Sequence, residues 1–117
     1  HTYGKMVRML ELVDSPNVQV IYDPVNFFPL TECENQTQLM DDAFALFGDR
    51  MVAIHSKDFV INEGIKEGDL PSGTGVMAHS HLIKHLVDKK PFIQVILENT
   101  NPDNVKDVIS VLKQAQL

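Results

Sequence analysis

Three short, nearly continuous apolar runs alternate with stretches of helical spacing along this chain, and this alternation limits the folds that it can adopt. The runs lie at about 18–23, 51–55 and 92–97, and they are largely β-branched and apolar, as buried strands are. Around them, apolar residues recur three and four positions apart, which predicts four helices, at about 3–14, 35–47 and 76–88 and after Pro102. Continuous apolar strands that alternate with helices indicate a parallel sheet. We therefore predict an α/β fold with three parallel strands in sequential order and with the helices on one face only.

Length and charge narrow the class of protein. The 117 residues suit one compact unit over 1–117, and the net charge is −6. An acidic surface repels nucleic-acid backbones unless basic residues cluster, and the ten Lys and Arg residues are scattered. No apolar run approaches the ~20 residues that a membrane-spanning helix needs. The single Cys33 cannot form an intrachain disulfide, so we expect a cytoplasmic protein. The charge and the short apolar runs predict that it binds neither nucleic acid nor membranes.

Each predicted strand ends in a residue that can bind a metal. These residues are Asp23, His55 and Glu98. Parallel strands place their carboxyl ends at one edge of the sheet, where ligands and catalytic groups gather. Two carboxylates and an imidazole suit a divalent metal, with Mn²⁺ preferred and Mg²⁺, Co²⁺ or Zn²⁺ as alternatives. The opposing interpretation is that each residue is an ordinary polar end of a strand.

Loop residues beside these strand ends extend the candidate site. Lys57 and Asp58 follow His55 closely, and Asn26 lies three residues after Asp23. All three are predicted to contact the substrate. The alternatives are a solvated ion pair for Lys57 and Asp58, and a turn cap for Asn26.

The polar stretch 56–75 and the histidines leave further alternatives open. A connection this long carries either function or a small hairpin of its own. Its end, 72–75, could present backbone amides to an anion or form a tight turn. His81 and His85 share one helical face, but Leu82 stands where a His-Glu-x-x-His metal motif needs Glu, so we interpret them as exposed or packing residues.

Four segments together resemble a known family. They are residues 17–26 (NVQVIYDPVN), 52–58 (VAIHSKD), 73–75 (GTG) and 95–98 (VILE). They are similar to the C-terminal part of the xylose-isomerase-like TIM barrels, and within these most similar to the sugar-phosphate isomerase/epimerase group. The resemblance extends from about residue 5 to 114, and the H-x-K-D element is its most specific part.

The resemblance implies a partial (β/α)8 barrel and a metal-dependent activity. It identifies the three predicted strands with strands six to eight of a barrel that needs ~250 residues, so we expect the chain to be a fragment. Asp23, His55 and Glu98 correspond to three of four family metal ligands, and the fourth, a Glu, is expected on a strand before His1. The implied reaction is isomerisation or epimerisation of a sugar or sugar phosphate through an enediolate, with Glu98 as catalytic acid/base as well as ligand.

Two other functions remain open at this point. A barrel cut to three strands has open sheet edges, so the chain could be an inactive module that forms a homo-oligomer or associates through those edges. Family-two AP endonucleases share the barrel, but they use additional His and Asp ligands and a basic surface. This chain has Asp69-Leu70-Pro71 where they show an Asp-Arg-His-like element, so an isomerase is preferred.

Overall fold

A computed structural model describes residues 2–116. The predicted unit 1–117 also includes His1 and Leu117, which lie outside the described residues. Within these residues the helices are α1 Thr2–Val13, α2 Pro24–Phe27, α3 Gln36–Phe47, α4 His79–Lys89 and α5 Val105–Gln114. The strands in the same part of the chain are β1 Val20–Tyr22, β2 Met51–Ser56, β3 Asp58–Asn62, β4 Ile65–Leu70 and β5 Gln94–Leu97. Short 3₁₀ turns at Leu30–Asn35 and Gly48–Arg50 complete the regular elements.

The predicted parallel sheet is confirmed, in the order β1-β2-β5. Two strands are shorter than predicted. At the start of β1, the Arg50 side chain donates to the carbonyl oxygens of Ser15 and Val18, so Val18 does not join the ladder. Before β5, the Ile93 amide donates to the Lys90 carbonyl at 3.0 Å, which makes a turn of residues that were predicted to be strand. The three strands form an open sheet, which is consistent with a partial TIM barrel.

Helices α1, α3 and α4 pack against one face of this sheet. Tyr22 and Ile54 are fully buried on that face, where they join the core with residues of α1, α3 and α4. Tyr3 of α1 and Tyr22 share a hydrogen bond of 3.0 Å between their hydroxyl groups. Ile21 and Ile96 lie on the opposite face and are 50% and 42% exposed. The face that would point into a closed barrel is therefore open, as predicted.

The long polar connection contains a hairpin. β3 and β4 pair antiparallel, and Glu63 and Gly64 at the tip adopt positive φ. The hairpin is anchored by Lys66, whose ammonium donates to the carbonyl oxygens of Val25 and Phe28. Burial lowers the pKa of Lys66. The hairpin thereby holds the segment that follows β1.

Two helical boundaries differ from the sequence prediction. Residues 24–27 lie outside the four predicted helices, but Asp23 accepts the Asn26 amide and Pro24 occupies the first turn, so α2 forms. α4 begins at His79 rather than 76, because the amides of Val76 and Met77 donate to Phe59 and Asp58 instead of entering a helix. None of the helices within residues 2–116 is long and apolar enough to cross a membrane.

Candidate metal centre

The ends of the three parallel strands bring Asp23, His55 and Glu98 together. One ligand atom from each residue lies within 4.8 Å of the other two. Asp23 follows β1 directly, His55 is the fifth residue of β2, and Glu98 follows β5. The Glu98 amide donates to the Ser56 carbonyl at 3.0 Å, which extends the pairing of β2 and β5 beyond the last ladder pair. The strand pairing therefore sets the spacing of the three side chains.

The carboxylate of Asp23 is held by the first turn of α2. Its Oδ1 accepts the Asn26 amide at 3.1 Å, and its Oδ2 accepts the Asn26 side-chain amide at 2.8 Å. Asn26 is therefore a turn cap and also a direct neighbour of a candidate ligand. Its side chain orients the Asp23 carboxylate, as residues that hydrogen-bond to metal ligands do.

Glu98 contacts both basic side chains of the site, His55 and Lys57. Its Oε1 lies 2.8 Å from His55 Nδ1, and its Oε2 lies 3.4 Å from Lys57 Nζ. The side chains of His55 and Glu98 are 28% and 31% exposed, so both are accessible to a small molecule. Asp23 is buried more deeply.

Lys57 places an ammonium among the carboxylates. Its Nζ lies 3.2 Å from Asp23 Oδ2, and its side chain is only 6% exposed. Burial alone would lower the pKa of Lys57, but the hydrogen bonds and charges of Asp23 and Glu98 outweigh it, and the pKa is raised. Lys57 is therefore a buried cation of the site rather than the solvated loop residue of the alternative interpretation.

The three candidate ligands fit a divalent metal by both chemistry and spacing. Bonds of ~2.0–2.2 Å place neighbouring ligand atoms about 3–4 Å apart, and the three ligand atoms here lie within 4.8 Å of one another. His55 Nδ1 lies 2.8 Å from Glu98 Oε1, and both atoms must be free of protons to bind a metal. Two carboxylates and one ammonium leave a net negative charge that attracts a cation. Three protein ligands also leave positions open for a substrate.

Asp58 makes its hydrogen bonds away from this site, and its predicted contact with the substrate stays a prediction. It is 1% exposed, and its carboxylate accepts hydrogen bonds from the amides of Phe59, Gly73 and Met77 and lies 3.0 Å from His79 Nε2. Burial alone would raise the pKa of Asp58, but the hydrogen bonds from His79 and the three amides outweigh it, and the pKa is lowered. Asp58 instead organises the segment between the hairpin and α4.

The glycines before α4 form a packed turn. The Gly73 amide donates to Asp58, and φ at Gly73 is +94°. A Cβ on Gly75 would lie 2.1 Å from the Phe59 carbonyl oxygen, so only glycine fits there. These contacts favour the turn over the anion-binding interpretation of residues 72–75.

Asp69 is a site residue that the sequence analysis did not identify. Its Oδ1 lies 3.5 Å from Lys57 Nζ, and its side chain is 85% exposed. The pairing of Asp58 with Leu70 brings the end of β4 back beside the end of β2. Only a correct hairpin register predicts this proximity, because Asp69 and Lys57 are twelve positions apart.

Comparison with known proteins agrees with this arrangement. A family model described as the xylose isomerase-like TIM barrel matches residues 1–115. No significant match was found among curated proteins or among solved structures. The match covers nearly the whole chain, and the parallel strands of the sheet agree with the fold of that family. The chain belongs to the xylose isomerase-like TIM barrel family.

Proposed function

We propose that this protein is a metal-dependent isomerase or epimerase of a sugar or sugar phosphate in the cytoplasm, and that Asp23, His55 and Glu98 bind its divalent metal. The observation that carries the proposal is the convergence of these three side chains within 4.8 Å at the strand ends. Mn²⁺ suits the mixed oxygen and nitrogen ligands, and Mg²⁺, Co²⁺ and Zn²⁺ are alternatives. The family includes isomerases and epimerases, which supports an enzyme of this class.

Glu98 is proposed to move the proton. When bound, a divalent metal polarises a substrate carbonyl and acidifies the adjacent C–H. The partly exposed Glu98 carboxylate can accept that proton, which leads to an enediolate, and can then return it. The Lys57 ammonium lies 3.4 Å from Glu98 Oε2 and carries a raised pKa, so it stays protonated at neutral pH beside the carboxylate.

The substrate contacts are proposed for Lys57 and Asn26. The Lys57 ammonium faces the carboxylates of the site and can donate to a substrate hydroxyl or phosphate oxygen. Asn26 is exposed beside Asp23 and can contact a substrate or a water on the metal. Within the described residues the cluster holds three ligands. A fourth carboxylate from another strand of the barrel, as the resemblance implies, would complete the site and act on the opposite face of the substrate.

Hydrogen exchange tests this proposal. The full protein with Mn²⁺ is incubated in deuterated water with a panel of ketoses and ketose phosphates, and deuterium at the carbon next to the carbonyl is followed by NMR. We expect metal-dependent exchange with a member of the panel, and a loss of at least about 100-fold in Glu98→Gln, since general acid–base catalysis contributes about 10²–10⁴-fold. Glu11→Gln makes the same chemical change on a side chain of α1 that is 63% exposed, and should leave exchange unchanged.

Two results would contradict the proposal. Exchange that is absent with every substrate would refute the isomerase reaction. Exchange that survives in Glu98→Gln would refute the role of Glu98 while leaving the reaction class intact.

The open face of the sheet supports a second proposal, that the chain associates with a second copy of itself or with other strands of a barrel. Ile21 and Ile96 are about half exposed on that face, and such apolar surface favours association. Sedimentation at increasing concentration tests it. An Ile96→Lys variant should remain a monomer where the wild-type chain self-associates, and a wild-type chain that is monomeric at every concentration would refute association between copies.

A further inference from the structure

A second group of metal-binding side chains lies between two helices. Asp41 of α3 faces His81 and His85 of α4, and the three ligand atoms lie within 4.8 Å of one another. Asp41 Oδ1 is 2.7 Å from His81 Nε2 and 2.6 Å from His85 Nε2. Two imidazole nitrogens therefore point at one carboxylate oxygen. This cluster belongs to the helical layer, and none of its residues is part of the strand-end site.

The rings of the two histidines are held in place before any ligand binds. His85 stacks on Phe44, with ring centroids 4.4 Å apart and an angle of 3° between the planes. His81 meets His85 edge to face at 5.1 Å. The side chains of His81, His85 and Asp41 are 29%, 15% and 45% exposed, so an ion can reach them from solvent. A site with fixed rings and an open approach loses little side-chain entropy on binding.

We propose that Asp41, His81 and His85 bind a divalent transition-metal ion of the zinc, nickel or copper class. Two imidazoles and one carboxylate suit these ions, whereas Mg²⁺ and Ca²⁺ prefer oxygen ligands. The i, i+4 spacing of His81 and His85 places both rings on one face of α4, as a two-histidine metal motif requires. The Glu that such a motif carries between its histidines in a protease is replaced here by Leu82, so the site binds metal without a hydrolytic base.

A small rearrangement is enough to admit the ion. Tetrahedral bonds of ~2.0–2.1 Å separate neighbouring ligand atoms by about 3.3 Å, and the present contacts of 2.6 and 2.7 Å are shorter. Asp41 is the most exposed of the three ligands, and a rotation of its side chain opens the cluster by that distance. A fourth position remains for water.

The bound ion would join α3 to α4. Asp41 lies on the helix before β2, and both histidines lie on the helix that follows the hairpin. Because the unfolded chain does not hold these ligands together, metal binding stabilises the packing of the two helices. The site therefore acts as a cross-link in the helical layer.

Zn²⁺ titration of the full protein by isothermal calorimetry tests the proposal. The Asp23→Asn/Glu98→Gln background removes strand-end ligands, so that the remaining Zn²⁺ equivalent is assigned to the helical layer. In that background we expect His81→Ala, His85→Ala and Asp41→Asn each to raise the dissociation constant by more than about tenfold, since loss of groups that only support a ligand already costs 10–100-fold. Asp42→Asn is the matched control, because it removes the same charge from the next residue of α3.

The proposal is overturned if Asp41→Asn and both histidine variants bind Zn²⁺ with the same dissociation constant as the background protein. A second measurement needs no variant. When Zn²⁺ is added to the wild-type protein, the Nε2 resonances of His81 and His85 should shift together in ¹⁵N NMR. The shifts should be complete once one Zn²⁺ ion is bound at this cluster. Resonances that stay unchanged up to several equivalents would equally overturn it.

Discussion

Replacement of Lys57 by Met removes the ammonium from the strand-end site and leaves a side chain of similar length. In the metal-free protein the Nζ atom lies 3.2 Å from Asp23 and 3.4 Å from Glu98, where each attraction is about 5 kcal/mol at an effective dielectric of 20. The cost of burying the charges offsets much of this attraction. Removal of one partner from a buried ion pair costs about 3–5 kcal/mol. Glu98 is 31% exposed, so we expect a loss of about 3 kcal/mol in the free energy of unfolding.

The same variant should bind Mn²⁺ more tightly. A unit positive charge repels a divalent ion 4–5 Å away by about 2 kcal/mol even in the dielectric of water, so the dissociation constant should fall by at least about tenfold. Urea unfolding in a chelator measures the first effect, and calorimetric titration with Mn²⁺ measures the second. Lys106→Met, on an exposed position of α5, is the control. A loss of stability below 1 kcal/mol together with an unchanged Mn²⁺ affinity would refute the placement of the ammonium among the ligands.

Three further substitutions test neighbouring parts of the structure. Gly75→Ala should destabilise the protein by roughly 1–3 kcal/mol or more in urea unfolding, because the new Cβ meets the Phe59 carbonyl oxygen at 2.1 Å; a wild-type midpoint would contradict this packing. Asp58→Asn should cost roughly 1.5–3 kcal/mol at pH 7 through lost charge-assisted hydrogen bonds. Because the folded-state pKa of Asp58 is lowered, this stabilisation is present above the ordinary pKa of 3.8 and is lost as the pH falls through the folded value. The free energies of unfolding of the wild-type protein and Asp58→Asn should therefore converge in acid, and a difference that stays constant with pH would count against this role of Asp58. Asn26→Ala should weaken Mn²⁺ binding by about 10–100-fold with little change in thermal midpoint, since it loses the 2.8 Å hydrogen bond that orients Asp23; an unchanged affinity in the titration would argue against that orienting role.

The parallel strands and their converging ends could be predicted from sequence because both depend on short-range patterns. Strands such as β2 are continuous and apolar, and helices between parallel strands force their carboxyl ends to one edge. A polar residue at each end, such as Glu98, is therefore visible in the sequence. The geometry of Asp23, His55 and Glu98 agrees with that expectation, while their roles as ligands stay predictions.

The contacts of the polar connection could not be predicted in the same way. The environment of Asp58 depends on the amides of Gly73 and Met77, which reach it only after the hairpin has formed. A carboxylate beside a strand end looks the same in sequence whether it faces a substrate or caps a buried turn. The contact between Asp41 and the histidines of α4 likewise depends on the packing of two helices, forty positions apart in the chain.

Mn²⁺ binding to the strand-end site tests the central claim most directly. Electron paramagnetic resonance of free Mn²⁺ counts the ions that the full protein binds, and Mn²⁺ has a lower affinity than Zn²⁺ for the imidazole-rich cluster between the helices. We predict one Mn²⁺ per protein, and a dissociation constant raised by more than about tenfold in Asp23→Asn, His55→Ala and Glu98→Gln. Glu11→Gln should bind as the wild-type protein does. Equal Mn²⁺ binding in the wild-type protein and all three ligand variants, or no binding in the full protein, would contradict the metal centre.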